Sequence, residues 1–319
     1  MFSIILKRSE EIKMGKTYIF GHKNPDTDSI TSSLVMANFE RKLGNEDAVA
    51  CRLGNINKET EYVLNYLGIE APELIEGVED GANVILVDHN NPKESVENLD
   101  NVNILKVVDH HAVVLTTGYP LFYRAEPVGC TETVLYKLYR ENNVEVDKTI
   151  ATLMLSAIIS DTLLLKSPTT TAEDIKAVEE LAGIAGIDPQ SYGLEMLKAG
   201  TDLSSFSIEE ILSLDAKEID IKGVKCLINQ VNTASIPDVM TKKAELEAGI
   251  NKVIEEKGLD LFVLLITDIV NSNSQTISIG ARADLVEKSY GVTLVENTAL
   301  LEGVVSRKKQ VIPVLTENA

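Results

Sequence analysis

Two stretches, Asn83-Val-Ile-Leu-Val87-Asp88-His89-Asn90 and Ile104-Leu-Lys-Val-Val108-Asp109-His110-His111, decide the fold. Each is a β-rich apolar run followed at once by Asp-His. A third run, Thr17-Tyr-Ile-Phe20, ends on Gly21-His22, and Ala48 to Arg52 forms a fourth strand. Helix-like segments lie between and after them. Ser29 to Leu43 has apolar residues at Ile30, Leu34 and Ala37, stops at Gly44, and has Ser29 or Asp28 placed as its cap. Glu59 to Leu67 ends at Gly68, Thr131 to Glu141 follows, and Thr171 to Ala185 is amphipathic with Thr171 as its cap. Ile150 to Ile159 reads as a buried helix ending at Ser160-Asp161. Strands alternating with helices predict an α/β fold, with a mostly parallel sheet flanked by helices on both faces. Ligands bind such sheets beyond the carboxyl ends of the strands, so one rim gathers the residues that follow the apolar runs.

The expected organisation is an extension at 1–13, a catalytic domain at 14–190, a linker at 191–200 and a smaller C-terminal α/β domain at 201–319. In the last, Ser207 to Leu214 reads as a short helix, and Val224 to Val231 as a strand. Pro237 to Lys257 reads as one long polar helix, Leu259 to Ile269 as an apolar strand, and Gln275 to Gly280 alternates Thr/Ser with Ile. Val304-Val305 and Val311 to Leu315 flank a basic knot, Ser306-Arg307-Lys308-Lys309-Gln310.

The 319 residues carry a net charge of −19. That argues against nonspecific binding to nucleic acid or to an anionic membrane surface. An anionic substrate must then be drawn in by metals or by a local basic cluster. Cys51, Cys130 and Cys226 are odd in number with no CxxC spacing, which predicts reduced thiols and no zinc knuckle. No apolar run is long enough to span a bilayer, and the first residues are too short and wrongly ordered for a signal peptide. A cytoplasmic location is the default expectation.

All four histidines, His22, His89, His110 and His111, lie in the N-terminal part of the chain beside or near aspartates. The loop His22-x3-Asp26-x-Asp28 offers one nitrogen and two carboxylates, enough to begin two adjacent metal sites. Any one of Asp88, Asp109 or Asp161 could be a turn or capping aspartate. Capping does not call for histidine beside aspartate three times. Adjacent histidines on an extended segment point opposite ways, which predicts that His110 and His111 do not bind the same metal. Mixed imidazole and carboxylate ligation suits Mn, Co, Fe or Zn better than Mg. Two such metals about 3.5–4 Å apart can share a bridging water and hold it as hydroxide, a nucleophile that needs no serine or cysteine.

These motifs resemble the DHH phosphoesterase superfamily and, more narrowly, the family II (manganese-dependent) inorganic pyrophosphatases. The resemblance rests on GHKNPDTDS at 21–29, VDHN at 87–90, VDHH at 108–111, YRAEPVGCT at 123–131, SAIISDT at 156–162, LSLDAKE at 212–218 and VVSRKKQ at 304–310. It implies a DHH domain followed by a DHHA2-type domain, and hydrolysis of pyrophosphate by a metal-bridging hydroxide. His22, Asp26 and a bridging Asp88 would hold one manganese; Asp28, Asp88, His110 and Asp161 would hold the second. Cobalt is an alternative metal, and a magnesium ion would arrive with the substrate. His111, Lys217, Arg307 and Lys308 would bind pyrophosphate, and Asp26 would orient the hydroxide. Asp109 and His89 read as orienters of ligands rather than as ligands. The family also implies a homodimer. Between Asp109 and Asp161 there is no room for the regulatory insertion that some relatives carry. The rival reading is an exopolyphosphatase or another DHH-type phosphodiesterase. The nuclease branch usually carries a second-domain histidine motif, and no histidine follows His111 here.

Overall fold

The computed structural model describes residues 15–204 and 206–319, so the extension expected at 1–13 lies outside the described residues. The chain divides into two units, Met1–Gly193 and Leu194–Ala319. The first unit runs β1 (Thr17–Phe20), α1 (Thr27–Lys42), β2 (Ala48–Arg52), α2 (Lys58–Leu67), β3 (Glu73–Leu74), β4 (Asn83–Val87), β5 (Asn103–Asp109), β6 (Phe122–Ala125), α3 (Thr131–Glu141), α4 (Lys148–Thr162) and α5 (Ala172–Ala185). The strands form one parallel sheet in the order β3-β2-β1-β4-β5-β6.

Central β4 is buried at every residue except Asn83, as a sheet covered on both faces requires. Phe20, Val84, Leu86 and Val107 pack on one side with Val96, Leu99 and Val102 from the β4–β5 connection. α1 contacts β1 and β2 and packs on α3 and α4; Tyr139 of α3 donates to Val35 O at 2.8 Å. The strand order reverses between β1 and β4. This switch point opens a crevice at their carboxyl ends, where Gly21-His22 and Asp88 stand.

Three local expectations change. α1 begins at Thr27, because the Asp26 carboxylate reaches the Ser29 amide at 3.0 Å; Asp28 and Ser29 lie inside its first turn. α4 continues to Thr162, so Asp161 sits on its last helical turn rather than at a turn beyond an apolar run. β3 and β6 were not anticipated; they are the short edge strands.

α6 (Pro189–Gly200) covers 191–200, so the segment expected as a linker is helical. The second unit continues with α7 (Ile208–Ser213), β7 (Ala216–Ile221), β8 (Val224–Thr233), α8 (Ile236–Met240), α9 (Lys243–Lys257), β9 (Leu261–Asp268), β10 (Asn273–Ile279), α10 (Asp284–Tyr290), β11 (Thr298–Leu301) and α11 (Ile312–Asn318). The single helix expected over Pro237–Lys257 is broken at Thr241-Lys242. There the Thr241 hydroxyl bonds back to Asp238 O and the Lys242 amine turns to Leu203 O. The sheet order is β11-β10-β9-β8-β7, with only β8 and β9 parallel. β9 is buried along its whole length. Val263 and Leu265 enter one core with α10 and α11, while Phe262, Leu264 and Ile266 enter the other with α7 and α9. Cys51, Cys130 and Cys226 are buried free thiols.

Candidate metal centre

β1, β4 and β5 end side by side, and each delivers a histidine or aspartate to the same rim. His22 follows β1 after Gly21, where an added Cβ would come within 1.9 Å of Ser29 Oγ, so only glycine lets strand and helix meet this closely. Asp88 follows β4 with φ of 56°, in the left-handed region that aspartate tolerates better than most residues. Its amide is held by Val108 O at 3.0 Å. Asp26 and Asp28 come from the start of α1, and Asp161 from the end of α4.

The geometry resolves into two groups that share Asp88. His22 Nε2 lies 3.3 Å from Asp88 Oδ2 and 3.6 Å from Asp26 Oδ2. His110 Nε2 lies 3.5 Å from Asp88 Oδ1, 3.9 Å from Asp161 Oδ2 and 4.0 Å from Asp28 Oδ2. Both rings are aimed from behind. His22 Nδ1 bonds to Lys23 O at 2.8 Å and His110 Nδ1 to Val128 O at 3.2 Å. A carbonyl can only accept, so Nδ1 carries a proton, and Nε2 is the nitrogen that can offer a lone pair to the centre once its own proton has left.

The chain bends after Asp109, and the two adjacent histidines do not diverge as an extended segment would require. Their rings lie 4.3 Å apart, edge to face, and His111 Nδ1 also reaches within 3.8 Å of Asp88 Oδ1. His111 is nevertheless half exposed, where His110 is mostly buried. Asp109 is buried and accepts from the amides of His110 and His111, from His111 Nδ1 at 2.9 Å and from Asn90 at 2.6 Å. His89 is buried, bonds to Val87 O at 2.9 Å and stands clear of both groups.

The supports behind these side chains carry no histidine or aspartate signal in the sequence. Thr131, capless at the start of α3, donates its amide to Asp28 Oδ2 at 2.8 Å and its hydroxyl to Asp88 Oδ1 at 3.1 Å. Ser32 donates to Asp28 Oδ1 at 2.9 Å. Asn90 ties Asp109 to the backbone of Ala112, Val114 and Leu115. The GCT of 129–131 and the Asn of VDHN were the available signals.

Electrostatics sets this cluster apart from a structural one. Burial, then the Asp88 charge, pushes Asp28 up to about 7. Burial and the charges of Asp28, Asp26 and Asp88 push Asp161 well above the carboxylate range. Burial would raise Asp88 too, but His110 and His22 hold it well below that range. Burial works against charging His22 and His110, yet the neighbouring carboxylates outweigh it and hold them at about 11 and about 9. Asp88 Oδ2 is buried with no hydrogen-bond partner among the described residues. Four carboxylates around two inward Nε2 atoms, one of them carrying an unsatisfied buried oxygen, fit divalent cations. A cavity of about 430 Å³ opens onto the group, lined by Asp26, Asp88, His110, His111, Asp161 and Thr169.

In the second unit, Lys217 is exposed on β7, and Arg307 and Lys308 open the π-helical turn Arg307–Val311. Arg307 Nη2 lies 2.8 Å from Asp215 Oδ1. Asp215 immediately precedes β7, so this ion pair brings Arg307 to the end of the strand that carries Lys217.

Residues 16–158 match the DHH family, N-terminal domain, and residues 194–318 match the DHHA2 domain. The chain is 55% identical to the manganese-dependent inorganic pyrophosphatase of Bacillus subtilis (strain 168) over 306 residues, 95% of this chain and 99% of that one. It superposes with TM-score 0.68 and 41% identity on a Methanococcus jannaschii protein described as a candidate family II inorganic pyrophosphatase, covering 95% of this chain and 99% of the other. An exopolyphosphatase-related protein from Bacteroides fragilis shares the fold at TM-score 0.50 and 16% identity, over 95% and 91% of the two chains. With most of its length matched in order by a DHH domain and a DHHA2 domain, the chain belongs to the family of manganese-dependent inorganic pyrophosphatases.

Proposed function

We propose that the protein hydrolyses inorganic pyrophosphate to two phosphates at a dinuclear manganese centre. The observation that carries this reading is Asp88, whose two carboxylate oxygens face different histidines, Oδ2 toward His22 and Oδ1 toward His110 and, further off, His111. His22, Asp26 and Asp88 would hold one manganese, and Asp28, Asp88, His110 and Asp161 the other. When bound, the pair supplies Lewis acidity, lowering the pKa of water toward neutrality and neutralising phosphoryl charge.

The side chains divide the remaining work. Asp26 is the most exposed carboxylate of the group, at 48%, and orients the attacking water. His111, held by Asp109, faces the cavity and donates to a phosphoryl oxygen. Its pKa is raised, chiefly by the Asp109 hydrogen bond, which favours the protonated donor. Lys217, Arg307 and Lys308 bind the remaining phosphoryl oxygens, Arg307 through its planar fork. They also supply the local positive charge that a chain of −19 needs to admit an anion. Magnesium accompanies the substrate, and cobalt is the alternative resident metal.

The protein would act as a cytoplasmic homodimer without nucleic-acid or membrane partners. No helix among the described residues is long and apolar enough to cross a membrane. β6 is a free sheet edge beside exposed Val113, Val114 and Phe122, a surface suited to the same edge of a second copy.

Metal content and phosphate release from pyrophosphate, tripolyphosphate and a dinucleotide, measured on one purified sample with manganese and magnesium, test the reading. Two manganese ions per chain and preference for pyrophosphate are expected. Preference for tripolyphosphate would favour the exopolyphosphatase alternative, and preference for the dinucleotide would refute both.

A further inference from the structure

The turn that carries Arg307 and Lys308 is exposed at its tip but held at its base by two glutamine side chains. Gln230, in the second half of β8, accepts from the Arg307 amide at 2.8 Å through Oε1. Its Nε2 donates to Val305 O at 2.9 Å and to Thr267 Oγ1 at 3.0 Å. Gln310 closes the turn from the other end. Its Oε1 accepts from the amides of Val305 and Ser306 at 2.9 and 3.0 Å, and its Nε2 donates to Gly303 O at 2.8 Å. Three consecutive amides, 305 to 307, thus end on side-chain carboxamides rather than on a strand or on solvent.

A carboxamide can accept and donate at once, which a carboxylate cannot. Gln230 therefore fixes both the N–H of Arg307 and the C=O two residues before it. That sets the peptide planes from which the Arg307 and Lys308 side chains leave. The anchor is rigid, because Thr267 bonds on to Ser274 Oγ at 2.8 Å and Ser274 to Val304 O at 2.7 Å, across β9 and β10. The guanidinium it aims is mostly buried. Nη2 meets Asp215, while Nε and Nη1 are buried and have no hydrogen-bond partner among the described residues. Buried donors left unpaired are costly, and a phosphoryl oxygen is an acceptor that can satisfy such a donor.

We infer that Gln230 is a positioning residue for pyrophosphate hydrolysis, holding the Arg307 backbone so that its guanidinium is directed at a phosphoryl group, with Gln310 as its counterpart. The inference rests on the reading of Arg307 as a substrate-binding residue. Manganese-loaded full-length protein, Gln230→Met, Arg307→Ala and the double variant are compared by steady-state pyrophosphate kinetics, manganese content and thermal melting. Gln230→Met should lower kcat/KM about 10- to 100-fold while retaining manganese, since misplacement of a positioning group by about an ångström costs that much. In the Arg307→Ala background the same change should cost several-fold less, about the share that acts through Lys308, because Gln230 and Arg307 are coupled. Equal losses in both backgrounds, or wild-type kcat/KM in Gln230→Met, overturn the inference. Gln310→Met, which leaves β8 untouched, carries the same cycle if Gln230→Met does not fold. Wild-type turnover in Arg307→Ala alone would instead overturn the substrate reading, and the inference with it.

Discussion

Manganese binding to the metal-free protein should release protons, and the charges of the centre set how many. His22 and His110, held up at about 11 and about 9 against the pull of burial, both carry a proton at about pH 7.5. A protonated Nε2 has no lone pair for a metal. Asp161 is also pushed upward, by burial and by the charges of Asp28, Asp26 and Asp88, which adds to the cost of ionising it for a metal. Loading both sites therefore displaces the two ring protons, about two in all. For His22 alone, a pKa of about 11 against about pH 7.5, at about 1.4 kcal/mol per pH unit, makes proton displacement cost about 5 kcal/mol. Affinity for manganese should consequently rise steeply with pH.

The fold responds with the opposite sign. A histidine with a raised folded-state pKa binds its proton more tightly folded than unfolded. Its stabilisation is full below the ordinary 6.5 and is lost as pH rises through about 9 for His110 and about 11 for His22. Asp28, raised from 3.8 to about 7, destabilises the fold once it ionises, again as pH rises. Metal-free protein should melt lower at about pH 9 than at about pH 6.5, and manganese should narrow that gap. Titration calorimetry in buffers of different ionisation enthalpy gives the proton count, and scanning calorimetry gives Tm. Release of less than about one proton on loading both sites, or a metal-free Tm that climbs over this range, would refute the reasoning.

Other perturbations separate the parts of the site. Asp88→Asn removes the shared charge, so manganese content should fall below two per chain and turnover by about a thousandfold or more; wild-type metal content would contradict the bridging role. Lys308→Ala should keep both metals and raise KM about 10-fold, the value of one charge-assisted hydrogen bond; loss of manganese would contradict the assignment of Lys308 to substrate. Gly21→Ala drives a methyl into Ser29, so it should destabilise the fold by about 1–3 kcal/mol or more and weaken manganese binding together with it; an unchanged melting temperature would show that β1 and α1 can part without cost.

Much of the fold was legible because its central strands announce themselves. β1, β4 and β5 are apolar runs ended by Gly-His or Asp-His, and a parallel sheet puts such ends on one rim. The edge strands were not. β3 has two residues, both exposed, and β6 shows no buried residue. Neither offers the apolar pattern that a covered strand must carry. The break between α8 and α9 was hidden for another reason. It depends on a hydroxyl bonding to its own turn and on a lysine reaching carbonyls 39 residues earlier in the chain, and helical periodicity records neither. The metal residues were legible because histidine beside aspartate is rare chemistry for a surface turn. Thr131 was not: its partners lie 43 and 103 residues away, and a threonine at a helix start has an ordinary local explanation.

Asp88 shows why the site could not be reduced to its composition. A left-handed φ on a non-glycine residue costs about 1 kcal/mol or more, and burying a carboxylate with an unsatisfied oxygen costs more again. Neither feature caps a helix or ends a strand more cheaply than asparagine or glycine would. What the left-handed turn achieves is direction: it carries the side chain off the end of β4 and into the crevice between His22 and His110. Thr131 holds one oxygen, and the other is left open toward His22. A strained backbone and four crowded carboxylates are unfavourable for stability alone. On the proposed reading of Asp88 as a shared ligand, bound cations would relieve the repulsion among Asp26, Asp28, Asp88 and Asp161.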